Sequence, residues 1–248
     1  MTSESVAAAT DALDARLGAA TTARSLEFWT TLMKGEAVFR GVPMAGIRQA
    51  CRGVWDEQDL GSWPTEDLLG LAHHWFARPA SEDKLAAVLM LAELMPGRLT
   101  LAHVDGLAHP LATGDVADWN VTDWYATKSL HRFLRDAADI ESRATAIATW
   151  AQADRLWHRR AGVVAFVGLA PQADQLFDGF VEVVLDACAA NLARPERFAQ
   201  TGPGWVLREL SRAVPERVRA FVEAHPEMSP EARRMATARL RPGPYRRR

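Results

Sequence analysis

The segment DWNVTDWYATKSL, residues 118–130, sets Trp119 and Asp123 four residues apart. On a helix that spacing puts both side chains on one face, and Asp118 is well placed to cap the helix start. A carboxylate held beside an aromatic ring can stabilise a developing cation, the carboxylate by its charge and the ring through its electron-rich face. The competing reading is a buried tryptophan beside a solvated helix aspartate. The pair alone does not overturn it.

Two further segments carry residues of the right type. In LWHRRAGVVAFV, residues 156–167, Arg159 and Arg160 open an otherwise apolar helix. Consecutive helical side chains point about 100° apart, so at least one arginine sits at the boundary of the core. There it can bind a phosphate bidentately or pair with a neighbouring helix, and pairing is the better reading of Arg159. In TGPGWVLRELSRAVPERVRAF, residues 201–221, Gly202-Pro203-Gly204 reads as a tight helix entry with Trp205 in the first turn and Arg208 one turn later. Such an entry leaves backbone N–H groups free for an anion. Taken alone, a first-turn tryptophan is more often core than ligand contact.

The elements that must position these residues are helical throughout. No stretch shows the period-two alternation of a strand. Helices are expected over 5–20, 24–34, 44–54, 64–75, from Ser81 to Pro96, 100–112, 118–134, 141–151, 156–169, 177–193, 204–213, 215–225 and 229–240. Acidic Glu66, Asp67, Glu82 and Asp83 stand in first turns, where the helix dipole favours them. Eleven to thirteen helices joined by short loops suit a helical-repeat array, although similarity between pairs is weak and an irregular bundle has the same periodicity. The expected organisation is an N-terminal helix and tail over 1–24, one repeat domain over 25–240 and a basic tail, RPGPYRRR, at 241–248.

Composition bounds the function classes. No apolar run approaches the roughly 20 residues a membrane span needs, and the first residues lack the basic start and apolar core of a signal peptide. A cytoplasmic protein without membrane partners is expected. Cys51 and Cys188 match no metal spacing and read as buried free thiols. The net charge is −2, but residues 159–248 carry 15 arginines against 10 acidic side chains, while the rest of the chain is −7. That asymmetry suits phosphate binding and equally suits a solvated helix surface with a basic tail. Arginine outnumbers lysine 26 to 3 with only three isoleucines, a pattern of coding bias that weakens any argument from arginine number alone.

The collinear order of Trp-x-x-x-Asp, an arginine opening an apolar helix, and Gly-Trp-x-x-Arg-Glu resembles the AlkD-type DNA alkylation repair glycosylases. LMKGEAVFRGVPMAGIR, residues 32–48, is similar to the entry segment of that family, and Pro215, Val218, Phe221 and MSPEARR at 228–234 echo its tail. The resemblance covers about residues 25–240. It implies an all-α, HEAT-like helical-repeat solenoid with a concave DNA-binding face. It further implies a monomeric glycosylase that hydrolyses the N-glycosidic bond of cationic N3- or N7-alkylpurines in duplex DNA, without deep base flipping and without cofactor or metal. Carried over residue by residue, Asp123 is the catalytic carboxylate and Trp119 and Trp205 flank the lesion's deoxyribose. Arg160 holds a phosphate near the lesion, with Arg159 the alternative if the register is off by one, and Arg208 is a second backbone contact.

Three positions depart from the family pattern. Leu32 replaces a frequent tyrosine, and Asn120 occupies an often acidic position. Pro43-Met44-Ala45-Gly46 replaces a loop whose polar side chain plugs the duplex opposite the lesion; Pro43 and Met44 take its place as DNA contacts. These changes leave open the lesion spectrum, and whether the altered segment weakens catalysis or opens the cleft to bulkier adducts. A HEAT-like protein that binds DNA structures without catalysis, and a helical scaffold for other proteins, are the rival readings.

Overall fold

The computed structural model describes residues 2–135 and 137–240. The expected basic tail therefore lies outside the described residues, among which every named element is helical and pairing of the strand type is confined to a single bridge between Val38 and Ala80. The chain divides into two compact units, Met1–Phe133 and Leu134–Arg248.

The first unit holds α1 (Ser3–Ala19), α2 (Ala23–Met33), α3 (Met44–Glu57), α4 (Thr65–Phe76), α5 (Ser81–Leu89), α6 (Val104–Thr113) and α7 (Trp119–Trp124). Side-chain caps start several of them, as expected where Thr or Asp precedes a helix: Thr2 accepts from the N–H of Ser5, Thr22 from Ser25 and Asp118 from Val121. α1 belongs to the core of this unit, burying Leu13 and Leu17 fully and receiving the indole N–H of Trp75 on Thr10 at 3.3 Å.

Both α5 and α7 widen at their C-terminal ends, into π turns over Met90–Leu94 and Tyr125–Leu130. The hydroxyl of buried Ser129, in the second π turn, donates to the carbonyl of Val88 at 3.0 Å, just ahead of the first. π turns are frequent at functional sites, and this one begins two residues after Asp123. α8 (His131–Arg135) continues the same run.

Part-buried ion pairs join the segments of the first unit. Arg40 reaches Asp83 through Nε and Nη2, at 2.8 and 2.9 Å, and Asp14 at 2.5 Å. Arg78 bonds the same two carboxylates. Asp83 is wholly buried, so its charge is satisfied by the two guanidinium groups rather than by water. Cys51 is buried too, donating to the carbonyl of Ala86 at 3.4 Å, and burial pushes its thiol up to about 12. Cys188, in the second unit, is equally buried and free.

The second unit comprises α9 (Ile140–Thr149), α10 (Leu156–Val164), α11 (Phe180–Leu192), α12 (Arg197–Leu210), α13 (Pro215–Ala224) and α14 (Pro230–Ala236). Glycines set its closest approaches. A Cβ on Gly204 would stand 2.8 Å from the carbonyl oxygen of Ala232 in α14, and one on Gly162 would stand 2.8 Å from the backbone nitrogen of Ala151.

Candidate active site

α7 carries the first candidate residues. Asp118 caps it, its carboxylate accepting the N–H of Val121 at 2.9 Å. Val121 and Tyr125 form the buried face. The Tyr125 hydroxyl donates to the carbonyl of Leu107 at 2.7 Å, and its ring meets Phe76 edge-on, which fixes the helix against α6 and α4. Trp119 and Asp123 lie on the opposite side of the helix, both half-buried and one turn apart. The Asp123 carbonyl accepts the hydroxyl of Thr127 at 2.6 Å, a bond that ties the catalytic candidate's backbone to the π turn.

Lys84 supports the approach to α7. Its ammonium donates to the carbonyls of Phe76, at 3.0 Å, and Asp115. Burial lowers the Lys84 pKa, partly offset by the nearby Asp115, Asp118 and Asp83. Burial likewise raises the pKa of Asp118, with the N–H groups of Val121 and Asn120 and the Lys84 charge opposing and the Asp123 charge adding to the rise.

Pro43 and Met44 stand where the sequence predicts a helix to begin. The helix expected over 44–54 is α3, with Pro43 as its N-cap and Met44-Ala45-Gly46 as its first turn, so the segment that replaces the family's loop is a helix entry. Proline, with its φ preset, suits the position just before a helix. The preceding chain is pinned from behind: the buried Glu82 carboxylate accepts the N–H groups of Arg40, Gly41 and Val42 at 2.9, 2.8 and 3.1 Å. Gly41 has φ +88°, and a Cβ there would stand 2.7 Å from that of Leu26, so glycine is required on both counts. Pro43 is exposed and Met44 half-buried.

Glu82 and Lys84 thus bring two segments to one end of α5: residues 40–42, which lead into Pro43, and residue 115, which leads into Trp119. Sequence reading assigned Glu82 and Asp83 only to favourable first-turn electrostatics. Nothing in a Glu-Asp-Lys triplet distinguishes buried clamps from a solvated turn.

In the second unit Arg159 and Arg160 are both buried. Arg159 donates to the carbonyls of Ala153 at 3.0 Å and Asp154 at 2.5 Å, and to Glu196, the N-cap of α12, at 2.8 Å. This geometry makes it a bracket between the start of α10 and the start of α12. Arg160 points along α12 instead, donating to the Phe198 carbonyl at 3.0 Å and the Thr201 hydroxyl at 3.3 Å, with its guanidinium 5.5 Å from the Phe198 ring centroid.

α12 also corrects an expectation. Gly202-Pro203-Gly204 is not a helix entry; it lies inside the helix, whose first residue is Arg197. Trp205 is therefore a mid-helix residue, and no free N–H groups of a helix start lie beside it. Packing overrides propensity here: Gly204 admits the backbone of α14, and Gly202 faces Arg160 and Val164 of α10. The consequence is a shared face, because Thr201, Trp205 and Arg208 follow at i, i+4 and i+7. Arg160 is bonded to the first of them. Trp205 and Arg208 are both half-buried, and Arg208 donates through Nε to Glu209 at 2.9 Å.

Structure thus brings together Trp119 with Asp123 in one unit, and Arg160 with the Trp205–Arg208 face in the other. Among the described residues no group of three or more His, Cys, Asp or Glu could hold a metal, and no helix is long and apolar enough to cross a membrane.

Residues 13–240 match the family model described as DNA alkylation repair enzyme. Among solved structures, the chain is similar to a protein described as a predicted DNA alkylation repair enzyme from Enterococcus faecalis. The two share 19% sequence identity with a TM-score of 0.74, over 90% of this chain and 98% of that one. No curated protein matches the chain. The likeness at this identity establishes a common all-helical fold, and the match over almost the whole length establishes kinship: the chain belongs to the DNA alkylation repair enzyme family.

Proposed function

We propose that this protein is a monofunctional DNA glycosylase that releases cationic N3- and N7-alkylpurines from duplex DNA. The observation that carries the reading is the pairing of half-buried Trp119 and Asp123 one turn apart on a capped, π-widened helix, in a chain of this family.

The chemistry asks little of the protein. An N3- or N7-alkylated purine already bears positive charge, so when the C1′–N bond breaks, its electron pair neutralises the leaving base. The sugar is left as an oxocarbenium-like cation. Asp123 stabilises that cation by charge and positions the water that adds to C1′, taking up its proton as the new C–O bond forms. Trp119, one turn from Asp123, lines the deoxyribose; in the second unit Trp205 and Arg208 offer a face to the DNA backbone, Arg208 to a phosphate, with Arg160 bonded behind it. Pro43 and Met44, at the start of α3, contact the strand opposite the lesion. Replacement of a polar plug by these apolar residues favours tolerance of larger adducts. No deep base-swallowing pocket is invoked, in contrast to enzymes that extrude the base.

The test is release of free 7-methylguanine or 3-methyladenine from alkylated duplex DNA, with a bulky N3-adduct as a third substrate. Release of base from at least one supports the enzyme. Binding without release from any of the three overturns catalysis and leaves a DNA-binding protein.

A further inference from the structure

Most arginine clusters among the described residues match cations to carboxylates one to one, or two to one where Arg48 and Arg52 share Glu93. Around Asp83 the account is balanced: Arg40 and Arg78 face Asp14 and Asp83, two cations to two carboxylates. Arg217 with Glu182 and Arg197 with Glu231 are one-to-one pairs. Glu209 differs, because three guanidinium groups converge on its single carboxylate. Arg208 Nε lies at 2.9 Å, Arg239 Nη2 at 3.1 Å and Arg212 Nε at 3.7 Å. Over those four groups the charge is +2.

The cluster is also built asymmetrically. Glu209 is only 10% exposed, whereas Arg208, Arg212 and Arg239 keep 35, 54 and 34% of their side-chain surface. The acid sits underneath and the cations face outwards. The arginines come from two segments, the end of α12 with the turn after it and the turn after α14, so one carboxylate fixes the spacing of all three. Their place at the C-terminal end of α12 suits cations but does not need three of them. Beyond Arg239 the sequence continues into Arg241 and Arg246–Arg248.

We infer that Arg212 and Arg239, organised by Glu209, are a phosphate clamp that grips the sugar–phosphate backbone of duplex DNA alongside Arg208. Forked guanidinium donors match phosphate oxygens bidentately, and an anion relieves the repulsion left by one acid among three bases. For its ligand the inference rests on the proposed DNA substrate. It requires no catalysis, so undamaged DNA serves as the probe.

The experiment measures affinity of the full-length protein for an undamaged duplex by fluorescence anisotropy, over about 50 to 200 mM salt. Wild type is compared with the double variant Arg212→Ala/Arg239→Ala and with the control Arg217→Ala. Each lost phosphate contact should reduce the slope of log affinity against log salt by about 0.9. The double variant should therefore bind at least about tenfold more weakly at low salt, with a slope shallower by about 2, while the control behaves as wild type. The double variant Arg212→Lys/Arg239→Lys, which keeps both charges, should recover most of the slope. Wild-type-like affinity and slope in the alanine variant overturn the clamp, as does weaker binding with an unchanged slope. Failure of base release with an intact slope effect would count against the glycosylase and leave the clamp standing.

Discussion

The carboxylate of Glu82 accepts the backbone N–H of Gly41 at 2.8 Å, and both residues are buried. With Arg40 and Val42 donating to the same side chain, one acid at the start of α5 holds the chain that delivers Pro43 and Met44. Glu82→Ala strands those buried donors, each costing about 1–3 kcal/mol when unpaired. Urea unfolding of the variant should show a loss of at least about 2 kcal/mol. A change within about 0.5 kcal/mol, the range of ordinary surface substitutions, would show that the contacts are not formed in solution.

Gly204 and Gly18 give substitutions of opposite sign. A methyl group at Gly204 meets the backbone of Ala232, whereas at Gly18 it meets open space. Gly204→Ala should destabilise by about 1–3 kcal/mol through overpacking. Gly18→Ala, near the end of α1, should stabilise by up to about 1 kcal/mol. Thermal or denaturant melts of the two variants read both signs directly.

Asp118 predicts an unusual pH response. Burial raises its pKa above the ordinary aspartate value, so the folded state holds this proton more tightly than the unfolded state. Its contribution to stability is therefore greatest in acid and is lost as pH rises through the raised pKa. Asp118→Asn keeps an equally good helix cap without the buried charge. The variant should be more stable than wild type at neutral pH, with the advantage shrinking as the pH falls into the carboxylate range. Equal stabilities at neutral pH, or an advantage that grows in acid, would contradict the assignment.

Arg159 and Arg160 separate by role. Arg159 brackets two carbonyls and Glu196, so Arg159→Lys, which lacks the planar fork, should lower stability by about 1–3 kcal/mol. Its base release should remain near wild type at temperatures where the variant is folded. Arg160→Lys should instead reduce base release in the folded protein. The pair is read by combining a melt with a single-turnover assay, and a reversed pattern would exchange the two assignments.

The sequence carried the helical class, most helix positions and the candidate pairs, because hydrophobic period and capping residues are local signals. Trp119 and Asp123 were legible as an i,i+4 pair on a helix capped by Asp118, and the chain does form that helix. Less legible was anything decided by packing. Gly202-Pro203-Gly204 has the composition of a helix boundary, yet α12 runs through it because close contact with α10 and α14 outweighs propensity. By contrast, α3 begins at Met44, as its local pattern predicts. The roles of Glu82, Lys84 and Glu209 each include a distant partner, Arg40 at 42 residues, Asp115 at 31 and Arg239 at 30. No local pattern encodes such separations.

Asp123 carries the central claim, and one measurement tests it most directly. Single-turnover release of 7-methylguanine or 3-methyladenine from alkylated duplex DNA is followed for wild type and Asp123→Asn at saturating protein. The wild type should release free base, and the variant should do so about 10²–10³-fold more slowly while binding the DNA with comparable affinity. An Asp123→Asn protein that cleaves as fast as wild type would contradict the assignment of this carboxylate to catalysis.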